Sequence, residues 1–478
     1  MPTELLSWKK LQQNTQQKIR AHQSDFADII EHNAISLDFS GQFLTSEIYH
    51  DLLSLAQESQ LKDKINALFQ GEEVNSTEHR PALHPALRAD EAKPLFVNNR
   101  NIMADVHEAR VQMQEISTLI REGRWLGYTG KPISDVVNLG IGGSMLGPLF
   151  YIKALADYQD TQVKLHFVSE IDPYAFSRVC NKLNPETTLF IVSSKSFTTP
   201  ETLSNLHKAY EWHGQPSLRA AHFIAVTAHV DEAVKMGFDT VLPIWDWVGG
   251  RYSFCSAINL IGCIAVGYQH FNDMLLGARS MDEHFKSQDF AVNLPVMLGL
   301  LGILNINFRG INNHLVLTYA EPLEYFVPYL QQLDMESNGK SIDKQGQPVS
   351  YDTGPIIWGG PGNQAQHSYY QHLCQGTYKI TADLVRIKAY DGQGINKMCQ
   401  GHSHVLNQGV EDVDNPFSLI PGGIPLNNLV LADCSPYSLG ALIALYEHKI
   451  FVQGAIWNIN SFDQPGVESA KVIFRRYS

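Results

Sequence analysis

From about residue 130 the chain repeats one pattern: a short apolar or β-branched run, a loop of Gly, Ser and Thr, then a helical stretch. This alternation restricts the fold more than any other feature. Strands separated by whole helices cannot pair as tight hairpins, so they build a parallel sheet covered by helices on both faces. The first series is Asp135-Val136-Val137-Asn138-Leu139, residues 163–168, Thr188-Leu189-Phe190-Ile191-Val192 and His222-Phe223-Ile224-Ala225-Val226. A second series follows the apolar stretch 254–305. It comprises Leu315-Val316-Leu317-Thr318, Pro355-Ile356-Ile357-Trp358 and a weaker run, Phe417-Ser418-Leu419-Ile420. Helical spacing lies between these runs, notably at 320–333 and 366–390. The pattern predicts two α/β domains with a boundary within 265–290. Residues 1–70 read as polar amphipathic helices, with Leu5, Trp8, Leu11 and later Leu52, Leu53 and Leu55 at helical spacing. The chain ends in a helical pattern from Val467 to Tyr477.

Composition narrows the class. With 478 residues, of which 44% are hydrophobic, the chain can bury two or three cores and is neither disordered nor fibrous. The 36 basic and 49 acidic residues give a net charge of −13, which argues against a general nucleic-acid binder, since that needs a broad basic surface. Any phosphate must be held by a few local groups. The six cysteines (Cys180, Cys255, Cys263, Cys374, Cys399 and Cys434) form no C-x-x-C and are widely spread, so reduced thiols in a cytosolic protein are expected. The polar N-terminus has no apolar signal-like segment. The run 294–304 contains a proline and two glycines and is too short to cross a bilayer. Asn75-Ser76-Thr77 matches a glycosylation sequon by chance.

Two loops follow predicted strands where an open α/β sheet offers helix N-termini to a ligand. Gly140-Ile141-Gly142-Gly143-Ser144-Met145 lacks the dinucleotide spacing, because Met145 stands at the sixth position. Its glycines still permit close backbone approach, to a ligand or within a tight turn. Ser193-Ser194-Lys195-Ser196-Phe197-Thr198-Thr199-Pro200 is denser in hydroxyls than one helix cap requires. Thr198 or Thr199 is expected to cap the helix that begins at Pro200, and the remaining groups suit a phosphate.

Other groups suit proton chemistry. Asp334 and Glu336 lie near the end of a helical pattern, as functional carboxylates or as a solvated terminus. His367 is expected at a helix start just beyond a strand. Arg251 follows Gly249-Gly250 and either reaches a ligand or pairs with Asp246. His402-Ser403-His404 is a weak metal hint that reads better as a surface loop. Lys471 reads as functional or as an exposed helical lysine. Asn338-Gly339-Lys340-Ser341 is not a P-loop, because Asp334 replaces the first glycine.

Taken in order, these segments resemble the glucose-6-phosphate isomerase (phosphoglucose isomerase) family of the sugar-isomerase fold superfamily, from Gly71 to Lys471. Asp246-Trp247-Val248-Gly249-Gly250-Arg251-Tyr252-Ser253 is similar to one family signature, and Asn460-Ser461-Phe462-Asp463-Gln464-Pro465-Gly466-Val467-Glu468-Ser469-Ala470-Lys471 to the other. The segments 332–340 and 366–371 resemble further motifs. Met145, Ser196, Pro200, Leu333 and Gln364-Ala365 depart from the usual family residues.

The resemblance implies two sugar-isomerase-type α/β sandwich domains with parallel-rich sheets flanked by helices. It divides the chain into a helical segment (1–100) packed on the larger domain, a smaller domain (101–270), a larger domain (271–463) and a C-terminal helical arm (464–478). It implies isomerisation of glucose 6-phosphate and fructose 6-phosphate through ring opening and a cis-enediolate, in glycolysis and gluconeogenesis. By resemblance Glu336 is the base, Arg251 stabilises the enediolate, and His367 and Lys471 serve ring opening. Gln332 and Gln464 position the sugar. Ser194, Lys195, Ser196, Phe197, Thr198 and Thr199 surround the phosphate, with Gly143, Ser144 and Gly250 close by. The family implies no metal and no organic cofactor, and the charge balance and short apolar runs imply no nucleic-acid or membrane partner. It also implies a cytoplasmic homodimer in which His367 serves the partner's site. A non-catalytic sugar-phosphate-binding regulator on the same fold is the competing reading.

Overall fold

A computed structural model describes residues 1–15, 26–411 and 415–474. The chain divides into two compact units, one made of Ala82–Leu276 and the other of Met1–Pro81 with Gly277–Ser478.

In the unit Ala82–Leu276, a five-stranded sheet has the order Lys164–Val168, Asp135–Leu139, Thr188–Ser193, Phe223–Thr227, Thr240–Pro243. Every neighbouring pair is parallel. The strands Thr188–Ser193 and Phe223–Thr227 are buried at every position, as expected where helices cover both faces. Phe190, Phe223 and Phe238 fill the core beneath the helix Pro200–His213. The direction of winding reverses between Asp135–Leu139 and Thr188–Ser193. In such sheets this switch point is where loops diverge and leave a crevice for a ligand. Thr240–Pro243 adds a strand that the sequence pattern does not show.

The other unit holds a six-stranded sheet in the order Ile29–His32, Ile35–Asp38, Leu426–Leu431, Thr381–Ile387, Asn313–Thr318, Ile356–Pro361. Its last four members are parallel, and Ile35–Asp38 joins antiparallel to both its neighbours. Three expectations are corrected here. Residues 1–70 are not helical throughout, because 29–38 form a hairpin turning at Asn33, whose φ is 46°. The stretch 366–390 is not one helical region but contains the buried strand Thr381–Ile387. Phe417 to Ile420 is not a sheet strand: Pro416–Ser418 is a 3-10 turn, and the strand of that region is Leu426–Leu431.

Beneath this sheet lies the helix Pro436–Ile456, buried along nearly its whole length. It packs on Leu294–Ile303, the apolar run of the sequence. Gly299 allows the approach, since a Cβ there would meet the β-branched Val452 at 2.7 Å from Cγ1 and 3.0 Å from Cβ. Among the described residues, no helix is long and apolar enough to cross a membrane. The helix Pro465–Phe474 ends the described chain, and Tyr477 lies outside the described residues.

Candidate active site

The glycine-rich and hydroxyl-rich loops leave the two strands at the switch point of their sheet. Asp135–Leu139 runs into the 3-10 turn Gly142–Ser144, where Gly142 takes a φ of 58°. Gly143 lies against the backbone at Gly250, so that a Cβ there would be 2.1 Å from the Gly250 oxygen. Only glycine permits that approach, and it sets the Gly142–Ser144 turn beside the turn Gly250–Tyr252 that bears Arg251. Arg251 is 3% exposed, and its guanidinium carbon lies 5.6 Å from the Tyr252 ring centroid.

The second loop follows Thr188–Ser193. Phe197 sits there with a φ of 51°, a strained position for a bulky residue, and its side chain is buried against Phe238 at 5.6 Å between ring centroids. The ring anchors the loop in the core, which leaves the side chain buried and fixes the main chain at 197. Thr199 is the N-cap of Pro200–His213, but its hydroxyl makes no capping bond. That part of the cap expectation is corrected. The Thr199 Oγ1 lies 3.1 Å from Ser194 Oγ and 3.5 Å from Ser196 Oγ, and Thr198 Oγ1 donates to Ser196 Oγ at 3.0 Å. The hydroxyls therefore form one cluster at the helix N-terminus, where main-chain N–H groups favour an anion. Lys195 Nζ donates to the Asp246 carbonyl at 2.9 Å, which ties the loop to the segment leading to Arg251.

One residue that sequence reasoning missed joins the two loops. Asn138, fully buried, donates to the Ser144 carbonyl at 3.0 Å and accepts from Ser193 Oγ at 2.9 Å. Its signal was a single amide interrupting an apolar strand.

In the other unit, Gln332 and Glu336 lie on one face of the π-helical segment Gln331–Glu336, a geometry often found at functional sites. Gln332 Nε2 donates to Glu336 Oε2 at 3.1 Å. Two residues before Glu336, the buried Asp334 accepts from Lys449 Nζ at 2.5 Å, so Asp334 belongs to the interior and not to a solvated terminus. Gln464 accepts the N–H groups of Val467 and Glu468 at the start of Pro465–Phe474. On the same helix Lys471 Nζ donates to Glu468 Oε1 at 2.9 Å.

His367 does not start a helix. It follows the end of the short helix Gly362–Gln366, and it is exposed. Its neighbour Gln366 is held from below. Tyr319 Oη lies 2.8 Å from His402 Nδ1, and His402 Nε2 lies 3.2 Å from Gln366 Oε1. His402 is thus no surface-loop residue but a buried member of the helix Gly394–Gln408, with a pKa lowered by burial. Among the described residues, no three His, Cys, Asp or Glu side chains gather as a metal site. None of the six cysteines is in a disulfide, and four of them are buried.

Comparison with known proteins gives this geometry its context. The family model described as phosphoglucose isomerase matches residues 38–477. A glucose-6-phosphate isomerase of Legionella pneumophila (strain Lens) is 52% identical over 99% of this chain and 97% of its own. That of Pseudomonas fluorescens (strain SBW25) is 46% identical over 91% and 84%. Among solved structures, the glucose-6-phosphate isomerase of Chlamydia trachomatis D/UW-3/Cx superposes with a TM-score of 0.91 at 30% identity, covering 99% of this chain and 95% of its own. The parallel-rich α/β architecture, the two loops at the sheet's switch point and a match across nearly all of the sequence agree: the chain belongs to the phosphoglucose isomerase family.

Proposed function

We infer that this chain interconverts glucose 6-phosphate and fructose 6-phosphate as an intramolecular aldose–ketose isomerase, a step of glycolysis and gluconeogenesis. The observation that carries this reading is the 52% identity over 99% of the chain to a glucose-6-phosphate isomerase. The hydroxyl cluster of Ser194, Ser196, Thr198 and Thr199, with Lys195, suits the phosphate. Gly143, Ser144, Gly250 and the main chain of Phe197 complete that surface.

After ring opening, a proton leaves C2 of the aldose and returns to C1, while a hydroxyl proton passes between the two oxygens. Glu336 is the base, because one carboxylate oxygen can serve both adjacent carbons. The Arg251 guanidinium stabilises the enediolate oxygens, offering charge and a planar fork of donors where negative charge develops. His367 and Lys471 exchange protons with the ring oxygen and the C1 hydroxyl, and Gln332 and Gln464 orient the sugar. The Gln332–Glu336 hydrogen bond supports this assignment, since it holds the carboxylate beside a neutral sugar-binding amide. A regulator that binds without turnover would not need Glu336, His367 and Lys471 together, and all three are present.

The working enzyme is a cytoplasmic homodimer in which His367 acts in the partner's site. The exposure of His367 and the buried free thiols support this reading.

The test is Glu336→Gln. Turnover is expected to fall by about 10³-fold with sugar-phosphate affinity retained. Mixing that variant with His367→Ala should regenerate one intact site per mixed dimer and restore part of the activity. Near-parental turnover in Glu336→Gln refutes the base assignment. Its loss without complementation refutes the shared histidine alone.

A further inference from the structure

We propose that Lys340 is a positioning residue for Glu336: its ammonium ties the end of the turn bearing Glu336 to the segment bearing Gln464. The inference rests on the reading of Glu336 as the base and adds a residue which that reading does not use.

The side chain of Lys340 is 11% exposed. Its Nζ donates to the carbonyls of Glu336 at 3.0 Å, Ser337 at 2.7 Å and Asp463 at 3.0 Å, and pairs with Asp463 Oδ1 at 3.2 Å. The ammonium's three protons are therefore matched by three main-chain acceptors. Two belong to the end of the Glu336 turn, where the last carbonyls of a helical segment look beyond it for donors. The third comes from the residue preceding Gln464.

The tie continues on both sides. Ser461 Oγ donates to Asn338 Oδ1 at 2.6 Å, a second bond between the same segments. Asp463 Oδ2 accepts from Thr77 Oγ1 at 2.5 Å, and Asn460 Nδ2 donates to Thr77 Oγ1 at 2.6 Å and to Asn75 Oδ1 at 2.8 Å. Asn75, Lys340 and Asp463 stand far apart in sequence, yet one hydrogen-bonded net joins their segments. Lys340 is its only cationic member among the residues named here. It faces main chain and a carboxylate, so it acts through Glu336 and is not itself an acid or base in the reaction.

A base that serves two carbons must stay within hydrogen-bond reach of both, and a misplacement of about 1 Å costs about 100-fold in rate. Loss of the ammonium frees the turn without touching the hydroxyl loop that holds the phosphate. The expected signature is a fall in kcat with KM preserved.

The experiment uses the full-length enzyme with fructose 6-phosphate as substrate. Lys340→Met keeps most of the unbranched side chain, one atom shorter, and removes the charge. Its kcat should fall about 30- to 100-fold with KM within about 3-fold of the parent. Lys340→Arg, which restores donors and charge, should recover activity to within about 10-fold. Asp463→Asn retains the main-chain bonds of Lys340, and its kcat should fall about 3- to 10-fold at unchanged KM. The proposal is overturned by a folded Lys340→Met with kcat within 3-fold of the parent, or by parallel changes in kcat and KM. If Lys340→Met does not fold, Asp463→Asn decides, and parental kcat there overturns the proposal. Glu336→Gln separates the two ideas. If that variant is active the base reading falls, and if it is inactive while the Lys340 variants match the parent only the positioning role falls.

Discussion

Replacing Gly143 with alanine measures how closely the turn Gly142–Ser144 must sit against the segment bearing Arg251. The new Cβ would lie 2.1 Å from the Gly250 oxygen, 2.4 Å from its carbonyl carbon and 2.8 Å from the Arg251 nitrogen. All three are backbone atoms, so no side chain can rotate away. An ordinary carbon–oxygen contact of about 3.4 Å requires the two loops to part by about 1.3 Å. One of them carries Ser144 and the other Arg251. A displacement of about 1 Å in such groups lowers the rate about 100-fold, equivalent to about 2.7 kcal/mol of transition-state stabilisation. Gly143 is only partly buried and Gly250 is exposed, so the loops move before the sheet unfolds. The assay couples glucose 6-phosphate formation to nicotinamide reduction and is run beside thermal unfolding. The expected result is a kcat/KM about 100-fold below the parent with Tm shifted by no more than a few degrees. Parental kcat/KM in the folded variant would refute the reasoning.

Two further outcomes concern stability. Asp334→Asn leaves the Lys449 ammonium, 1% exposed, without its carboxylate partner. Breaking such a buried pair costs about 3–5 kcal/mol, read as a lower urea midpoint, and Asp334→Asn combined with Lys449→Met should recover much of it. On acidification, His213 and His284 destabilise the fold. Burial lowers both to a pKa of about 4, assisted by His222 and Arg219 for His213 and by His32 and His448 for His284. His284 Nε2 accepts the Leu294 N–H at 2.9 Å, which only a ring unprotonated at that nitrogen can do. Because these folded pKa values lie below the unfolded value of 6.5, their stability is present above about pH 6.5 and is lost as pH falls toward 4. A urea midpoint constant between pH 7 and pH 4 contradicts this.

The sequence by itself determined the local chemistry. The runs at 135–139 and 188–192 are short, rich in apolar and β-branched residues, and each is followed at once by its loop, so strand and loop were legible together. The carboxylates at 334 and 336 and the arginine at 251 were also visible as candidates, and the family resemblance gave expected roles to Glu336 and Arg251. What it did not show are the features whose cause lies elsewhere in the chain. Thr381–Ile387 was misread because Asp383 breaks its apolar pattern, yet that carboxylate is fully buried. It accepts from Asn427 Nδ2 and Tyr446 Oη, each at 2.7 Å, on another strand and a distant helix. The hairpin at 29–38 joins its sheet beside Leu426–Leu431, a pairing that no spacing along the chain encodes. Tertiary structure alone decided that Asp334 pairs with Lys449, that His402 supports Gln366, and that Lys340 reaches Asp463 across 123 residues. Periodicity records which face of an element is buried, whereas a buried polar group is stable only with partners that folding brings to it.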